Sequence, residues 1–390
     1  MRIDRIELRE IHLKLKQPFV TSMGTQQARR ILLLRVSQAD RDGWGECTAG
    51  EDPFYSYETV ETAAQVLERF LIPSVLGIEL SGAEALAERV AAVRGHPMAR
   101  AALECACWEL EARQREQPLW RLLGGVRPVI RSGVSIGIQP APERLLERIE
   151  TELEAGYQRI KIKIKPGWDL DIVDRVRQRF PELALMVDAN SAYTPAHAEH
   201  LARLDAYRLM MIEQPLGHDD LIEHARLQRG LRTPICLDES IRNAGDAAAA
   251  LELGSCRIIN IKLGRVGGFR EARAVETLCR GRGVPVWCGG MLEAGIGRLH
   301  NVALSTLEGF RLPGDVADSR RYYDRELIDP PVIVRPDGTI AAPELPGLGH
   351  RILLPEIDSV TAWKRSYFPS PSGPAGPARR GVGGEGVKPR

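Results

Sequence analysis

Five charged residues punctuate the middle of this 390-residue chain at a nearly constant interval: Lys163, Asp188, Glu213, Asp238 and Lys262, with gaps of 25, 25, 25 and 24 residues. The last four each close a short apolar run, as in Ala184-Leu185-Met186-Val187-Asp188 and Ile258-Ile259-Asn260-Ile261-Lys262. A charge at the end of a buried strand is costly unless something compensates it. An interval of this length holds one strand, one helix and their loops. Five repeats therefore place five charges on one rim of a parallel β/α barrel.

The chemistry follows from what such a rim brings together. Asp188, Glu213 and Asp238 at neighbouring strand ends would repel one another without a cation between them. An all-oxygen ligand set favours Mg²⁺ or Mn²⁺ over zinc. Arg159-Ile160-Lys161-Ile162-Lys163-Ile164-Lys165 alternates with period 2. Taken alone, that pattern describes an edge strand with solvated lysines. Inside a barrel it turns Lys161 and Lys163 inward, where mutual repulsion and desolvation should favour a neutral amine able to act as a general base. Lys262 ends the strand opposite them in barrel order. Asn190 shares the alternation of Asp188 and is a candidate supporting group. Glu239, beside Asp238, is read as a supporting or helix-capping carboxylate. Ser135 offers a hydroxyl from the first barrel strand. In Trp287-Cys288-Gly289-Gly290-Met291, consecutive glycines let backbone N–H groups approach a ligand, so Gly290 and Met291 are candidates for a substrate carboxylate. Gly264-Arg265-Val266-Gly267-Gly268 does not match a phosphate loop and reads as a tight connection. His197, His200, His218 and His224 read as surface residues.

The domain pattern changes near residue 125. Residues 1–125 read as an α+β unit with strands around 3–16 and 30–37, a turn at Gly43-Trp44-Gly45-Glu46, and helices over 57–71, 82–93 and 97–114. Residues 126–339 alternate strand and helix, with strands expected near 130–137, 158–164, 183–188, 208–213, 234–238, 256–262 and 284–288. A segment of about 340–368 returns to the first unit. The Pro-, Gly- and Arg-rich stretch 369–390 is expected to be a disordered tail. Lysine and arginine nearly balance aspartate and glutamate, for a net charge of +1. Neither nucleic acid nor an anionic membrane is an expected partner. No apolar run approaches the ~20 residues that span a bilayer. The start, Met1-Arg2-Ile3-Asp4-Arg5-Ile6-Glu7, is not a secretion signal. Seven scattered cysteines suit a reducing, cytoplasmic compartment. The expected partner is a small-molecule carboxylate substrate, with the chain assembled as a homo-oligomer.

Lys161-Ile162-Lys163, Asp188-Ala189-Asn190, Ile212-Glu213-Gln214-Pro215, Leu237-Asp238-Glu239-Ser240 and Asn260-Ile261-Lys262 together resemble the enolase superfamily, muconate-lactonizing subgroup. Within it, Lys165-Pro166-Gly167-Trp168-Asp169, the Gly-Gly-Met loop with Glu293, and Gly295-Ile296-Gly297-Arg298 resemble the o-succinylbenzoate synthase / N-succinylamino acid racemase family. The resemblance implies a (β/α)7β barrel with an N-terminal α+β capping domain. It also implies one Mg²⁺ (or Mn²⁺) on Asp188, Glu213 and Asp238. Two reactions are implied. One is dehydration of a succinyl-hydroxycyclohexadiene carboxylate to o-succinylbenzoate in menaquinone biosynthesis, with Lys163 as base and Lys262 as fixed cation. The other is racemisation of N-succinyl or other N-acyl amino acids, with the two lysines acting on opposite faces. Arg265, found in racemising members, keeps the second open as a substrate-site residue. Residues 17–24 read as a closing loop with Phe19 as an apolar lid. The stretch Thr48-Ala49-Gly50-Glu51-Asp52 lacks the bulky apolar residue of some members. Further alternatives are another enzyme of the subgroup, such as a muconate cycloisomerase or dipeptide epimerase, and a catalytically silent small-molecule binder.

Overall fold

The computed structural model describes residues 1–369. The expected tail therefore lies, from residue 370, outside the described residues. The first 47 residues build three antiparallel strands, Arg5–Val20, Thr25–Gln38 and Arg41–Cys47. Thr361–Tyr367 adds a fourth, beside the first strand at the sheet edge. The apolar residues of the long hairpin pair across it, Leu8 opposite Leu34 and Ile11 opposite Ile31, and all four are buried.

Helix Pro97–Gln114 packs on this sheet and is buried over most of its circumference. Its alanines and two strand glycines explain how closely. A Cβ on Gly43 would lie 2.0 Å from the Ala106 carbonyl oxygen, and one on Gly45 would lie 1.9 Å from that of Ala102. Gly43-Trp44-Gly45-Glu46 is thus not the expected turn. It lies within a strand, and the turn falls at Ala39 and Asp40, where Ala39 has φ 52°.

Seven parallel strands follow in chain order: Gly133–Ile136, Arg159–Lys163, Leu185–Asp188, Ile212–Glu213, Ile235–Leu237, Ile258–Ile261 and Val286–Cys288. Helices connect them, as the repeat requires. The run 310–316 closes the barrel by bridging both free edges, Phe310 to Val286 and Gly314 to Ser132. The fold is therefore a TIM-like barrel under an antiparallel cap. The first expected strand, 130–137, divides in two. Val129–Arg131 leaves the barrel to pair with Thr339–Ala341, and only Gly133–Ile136 joins the parallel sheet.

Inside the barrel, Met186, Met211, Cys236, Ile258 and Trp287 form an apolar plug separate from the main core. It fills the space beneath the rim charges, so the barrel is a packed floor rather than a channel. Among the described residues no helix is long and apolar enough to cross a membrane. His224, expected at the surface, is buried; its Nε2 accepts the Leu216 N–H at 3.1 Å.

Candidate active site

Register sets the rim. Lys163 pairs with Asp188, and Asp188 with Glu213, so three charges stand side by side at the ends of adjacent strands. Asp238 and Lys262 each lie just past the ends of their strands. The two inward lysines are not solvated: Lys161 is 3 % exposed and Lys163 7 %. Ile160 and Ile162 on the other face are fully buried.

Each carboxylate is met by an amine. Lys161 Nζ lies 2.8 Å from Glu213, 3.2 Å from Asp188 and 2.9 Å from Asp315, above the Trp287 ring of the plug. Lys163 Nζ donates to Asp188 Oδ2 at 2.6 Å and to Asn190 Oδ1 at 2.7 Å. Lys262 Nζ donates to Asp238 Oδ2 at 2.7 Å and to the Tyr55 hydroxyl at 3.0 Å. Arg265 grips the other oxygen of Asp238 from behind, and its Nε donates to the Ile241 carbonyl. Asn190 Nδ2 donates to Glu239 at 2.9 Å, and Asn260 Nδ2 to Glu213 at 2.7 Å.

The backbone is bent to make these contacts. Asn190 and Gln214 follow their strand ends with φ 42° and 37°, a left-handed conformation that costs of order 1 kcal/mol for such residues. Gly289 serves a different purpose from the one its sequence suggested. A Cβ there would lie 2.3 Å from Asn260 Oδ1 and 2.7 Å from Lys262 Cγ. The glycine makes room for the rim.

At Lys161 the surrounding carboxylates act against the expected lowering. Burial alone would lower Lys161, but Asp315, Glu213 and Asp188 override it and raise its pKa. Burial is likewise overridden at Lys262, which Tyr55, Glu239 and Glu213 raise. Asp188 is held down by Lys163 and Lys161 against burial. Glu213 is pushed up, by burial first and by Asp188 next. At Lys161 and Lys262 the neighbouring negative groups outweigh burial.

A cavity of about 300 Å³ opens over the rim, between barrel and cap. Lys161, Lys163, Lys262, Ser135, Asn190, Gly290, Met291 and Phe19 line it, so eight of the expected residues share one space. Phe19 is half-buried in a hairpin whose tip docks on the barrel, where Ser22 Oγ donates to the Ala189 carbonyl at 2.9 Å. Asp188, Glu213, Asp238, Glu239 and Arg265 do not reach the wall; they stand behind the lysines. Tyr55 and Asp315 line the cavity without having been anticipated. Asp315 accepts from Ser135 Oγ at 2.8 Å and Arg159 at 2.6 Å. Its signal was the interval: it falls 27 residues after Cys288, the end of the seventh strand, but its own run contains Pro313 and Gly314 and does not read as a strand.

The donor set suits a hard divalent cation. It is all oxygen, and two buried oxygens of the rim, Glu239 Oε2 and Asn260 Oδ1, have no hydrogen-bond partner. As the side chains stand, amines hold the carboxylate oxygens, and among the described residues no three acidic, His or Cys side chains converge on one point.

Known proteins match this chain over most of its length. Residues 5–124 match the mandelate racemase / muconate lactonizing enzyme N-terminal domain, and residues 144–356 match the enolase C-terminal domain-like family. An o-succinylbenzoate synthase from Geobacillus kaustophilus is 52% identical over 94% of this chain and 98% of its own length. An N-succinylamino acid racemase from Thermus thermophilus is 48% identical over 94% of this chain and 99% of its own. The chain belongs to the enolase superfamily, in its o-succinylbenzoate synthase / N-succinylamino acid racemase family. A solved member of that superfamily from Listeria innocua superposes with a TM-score of 0.91 at 36% identity, covering 94% of this chain and 99% of its own. A superfamily relative from Enterococcus faecalis, a dipeptide epimerase 25% identical over 90% of this chain and 99% of its own (TM-score 0.83), was solved with Mg and a dipeptide.

Proposed function

We propose that this chain is an o-succinylbenzoate synthase that also racemises N-succinylamino acids. The observation that carries the reading is the meeting of Lys163 and Lys262, from opposite sides of the barrel, in one cavity above three buried carboxylates. That arrangement brings a base and a cation to the two faces of a carboxylate substrate.

In the dehydration, Lys163 in its neutral form takes the proton from the carbon bearing the carboxylate. Its ammonium then returns that proton to the departing hydroxyl on the same face, releasing water and leaving an aromatic ring. Lys262 in its cationic form stabilises the negative charge that develops. Asn190 orients Lys163, and Tyr55 orients Lys262. Asp188, Glu213 and Asp238 would hold a Mg²⁺ or Mn²⁺ ion, which when bound supplies Lewis acidity toward a substrate carboxylate and takes up charge that now binds the lysines. Phe19, Met291 and Tyr55 line the cavity and exclude water from the reacting face.

Racemisation is the second reading. The same two lysines support it, one removing and one returning a proton, and the 48% identical Thermus thermophilus racemase favours it.

The purified protein should convert the hydroxycyclohexadiene diacid to o-succinylbenzoate and exchange the α-proton of N-succinylamino acids in D₂O. Chelation should abolish both, and Mg²⁺ or Mn²⁺ should restore them. Absence of product and of exchange with added metal would reject the reading. Efficient racemisation with no dehydration would make the racemase its main activity.

A further inference from the structure

Strand Thr25–Gln38 carries Arg29 to the cavity wall, where the residue is 4 % exposed. Its Nη2 donates to the carbonyl oxygens of Thr48 at 3.0 Å and Ala49 at 3.2 Å. Its Nε is buried without an acceptor. Among the described residues no carboxylate pairs with this guanidinium, and its Nη1 makes no hydrogen bond. The other cations on the wall are all engaged: Lys161 on Glu213, Lys163 on Asp188 and Lys262 on Asp238. The wall's two anions do not neutralise Arg29. Asp52 is exposed to solvent, and Asp315 is held by Arg159 and Lys161.

A guanidinium buried to this degree is costly with only carbonyl partners, and a carboxylate is the anion that its planar fork fits. We infer that Arg29 receives a second carboxylate of the substrate, remote from the carbon that loses its proton. The cap would then select diacids, while the barrel performs the proton transfer. The inference rests on the function proposed above and names what that site recognises. It also gives the Thr48–Ala49 carbonyls a part: they aim the guanidinium into the cavity, so the loop after Cys47 adjusts selectivity through Arg29.

The test compares kcat/KM for an N-succinylamino acid with that for its terminal amide, which has the same size without the distal charge. The wild type should prefer the diacid by at least about tenfold. Arg29→Gln should lower that ratio by about tenfold or more, and Arg29→Lys, which keeps the charge but loses the fork, by less. An unchanged ratio in Arg29→Gln, or an equal loss on both substrates, overturns the inference. Should Arg29→Gln fail to fold, Arg29→Lys decides, and an unchanged ratio there overturns it. Calorimetric binding of o-succinylbenzoate and of its succinamide analogue to the wild type reads the same preference without turnover. If neither reaction is catalysed but the diacid binds more tightly, the function falls and the role of Arg29 stands. Equal binding of the two removes that role.

Discussion

The barrel mouth and the seam between cap and barrel both bury carboxylates, and they neutralise them by different means. At the mouth, Asp188 and Asp238 face full positive charges on Lys163, Lys262 and Arg265. At the seam, Glu46 and Glu104 of the cap face backbone amides and, for Glu104, the Trp108 indole N–H at 3.2 Å, but neither is in an ion pair among the described residues. Glu46 accepts Ala294 N–H at 2.9 Å and Gly297 N–H at 2.8 Å, at the start of barrel helix Gly295–Ser305. Glu104 accepts Arg270 N–H at 2.8 Å, at the start of helix Phe269–Gly281. Between Asp188 and the two seam glutamates the consequence is opposite in sign. Asp188 is held below the usual carboxylate range despite its burial. Burial, with no full counter-charge, pushes Glu46 and Glu104 up to about 7. Helix ends offer about half a charge, which does not repay the desolvation of a whole one.

The largest effect should come from taking cations out of the mouth. Lys163→Ala removes the base, and Lys262→Ala removes the cation or second acid. Each should lower kcat for both reactions by about 10²–10⁴-fold, the usual worth of a positioned acid or base. α-Proton exchange in D₂O, followed by NMR, separates lost chemistry from lost product release. Activity within about tenfold of wild type, roughly 1.4 kcal/mol of barrier, would show that the altered lysine is not essential.

The contrast also explains what the sequence made legible. The mouth could be read because a barrel repeats: strand-end residues recur at one interval, and Lys163, Asp188, Glu213, Asp238 and Lys262 stand out against apolar runs. The residues that escaped lie where the repeat breaks. Asp315 sits on a closing segment interrupted by proline and glycine. Tyr55 and Arg29 come from the cap, whose place over the barrel has no periodic trace in the chain. The function of Gly43 and Gly45 was hidden for a related reason. A glycine in a turn and a glycine under a helix look alike until the helix is placed. Glu46 was equally silent, since a carboxylate bound by amides from another domain has no partner nearby in sequence.

A smaller effect tests the seam. Glu46 and Glu104 ionise near pH 4.5 when unfolded and near pH 7 when folded. Between those values the folded state holds protons that the unfolded state has released. Their contribution to stability is therefore greatest at low pH and falls as pH rises through the window, by at most about 1.4 kcal/mol per pH unit for each group. Urea unfolding at pH 5, 6 and 7 should show a smaller decline in Glu104→Gln than in wild type, and likewise in Glu46→Gln. The same slope in wild type and both variants would mean that the amides compensate these carboxylates as fully as lysines do at the mouth.

The smallest effect belongs to Arg265, which stands behind the mouth rather than in it. It holds one oxygen of Asp238 while Lys262 holds the other, and it does not touch the cavity. Its charge competes with the Lys262 ammonium for the same carboxylate, so it makes that ammonium easier to deprotonate. Dehydration needs Lys262 only as a standing cation. Racemisation needs it to give up and regain a proton. Arg265→Gln leaves Lys262 as the one cation on Asp238, beside the Tyr55 hydroxyl, and should strengthen the ammonium. The expected result is a fall in kcat/KM for N-succinylamino acid racemisation about tenfold greater than that for o-succinylbenzoate formation, a differential barrier of about 1.4 kcal/mol. Exchange measured separately from each enantiomer sharpens the point, because only the enantiomer whose proton faces Lys262 should lose exchange. Equal losses in both reactions, or equal losses from both enantiomers, would reduce Arg265 to a structural partner of Asp238.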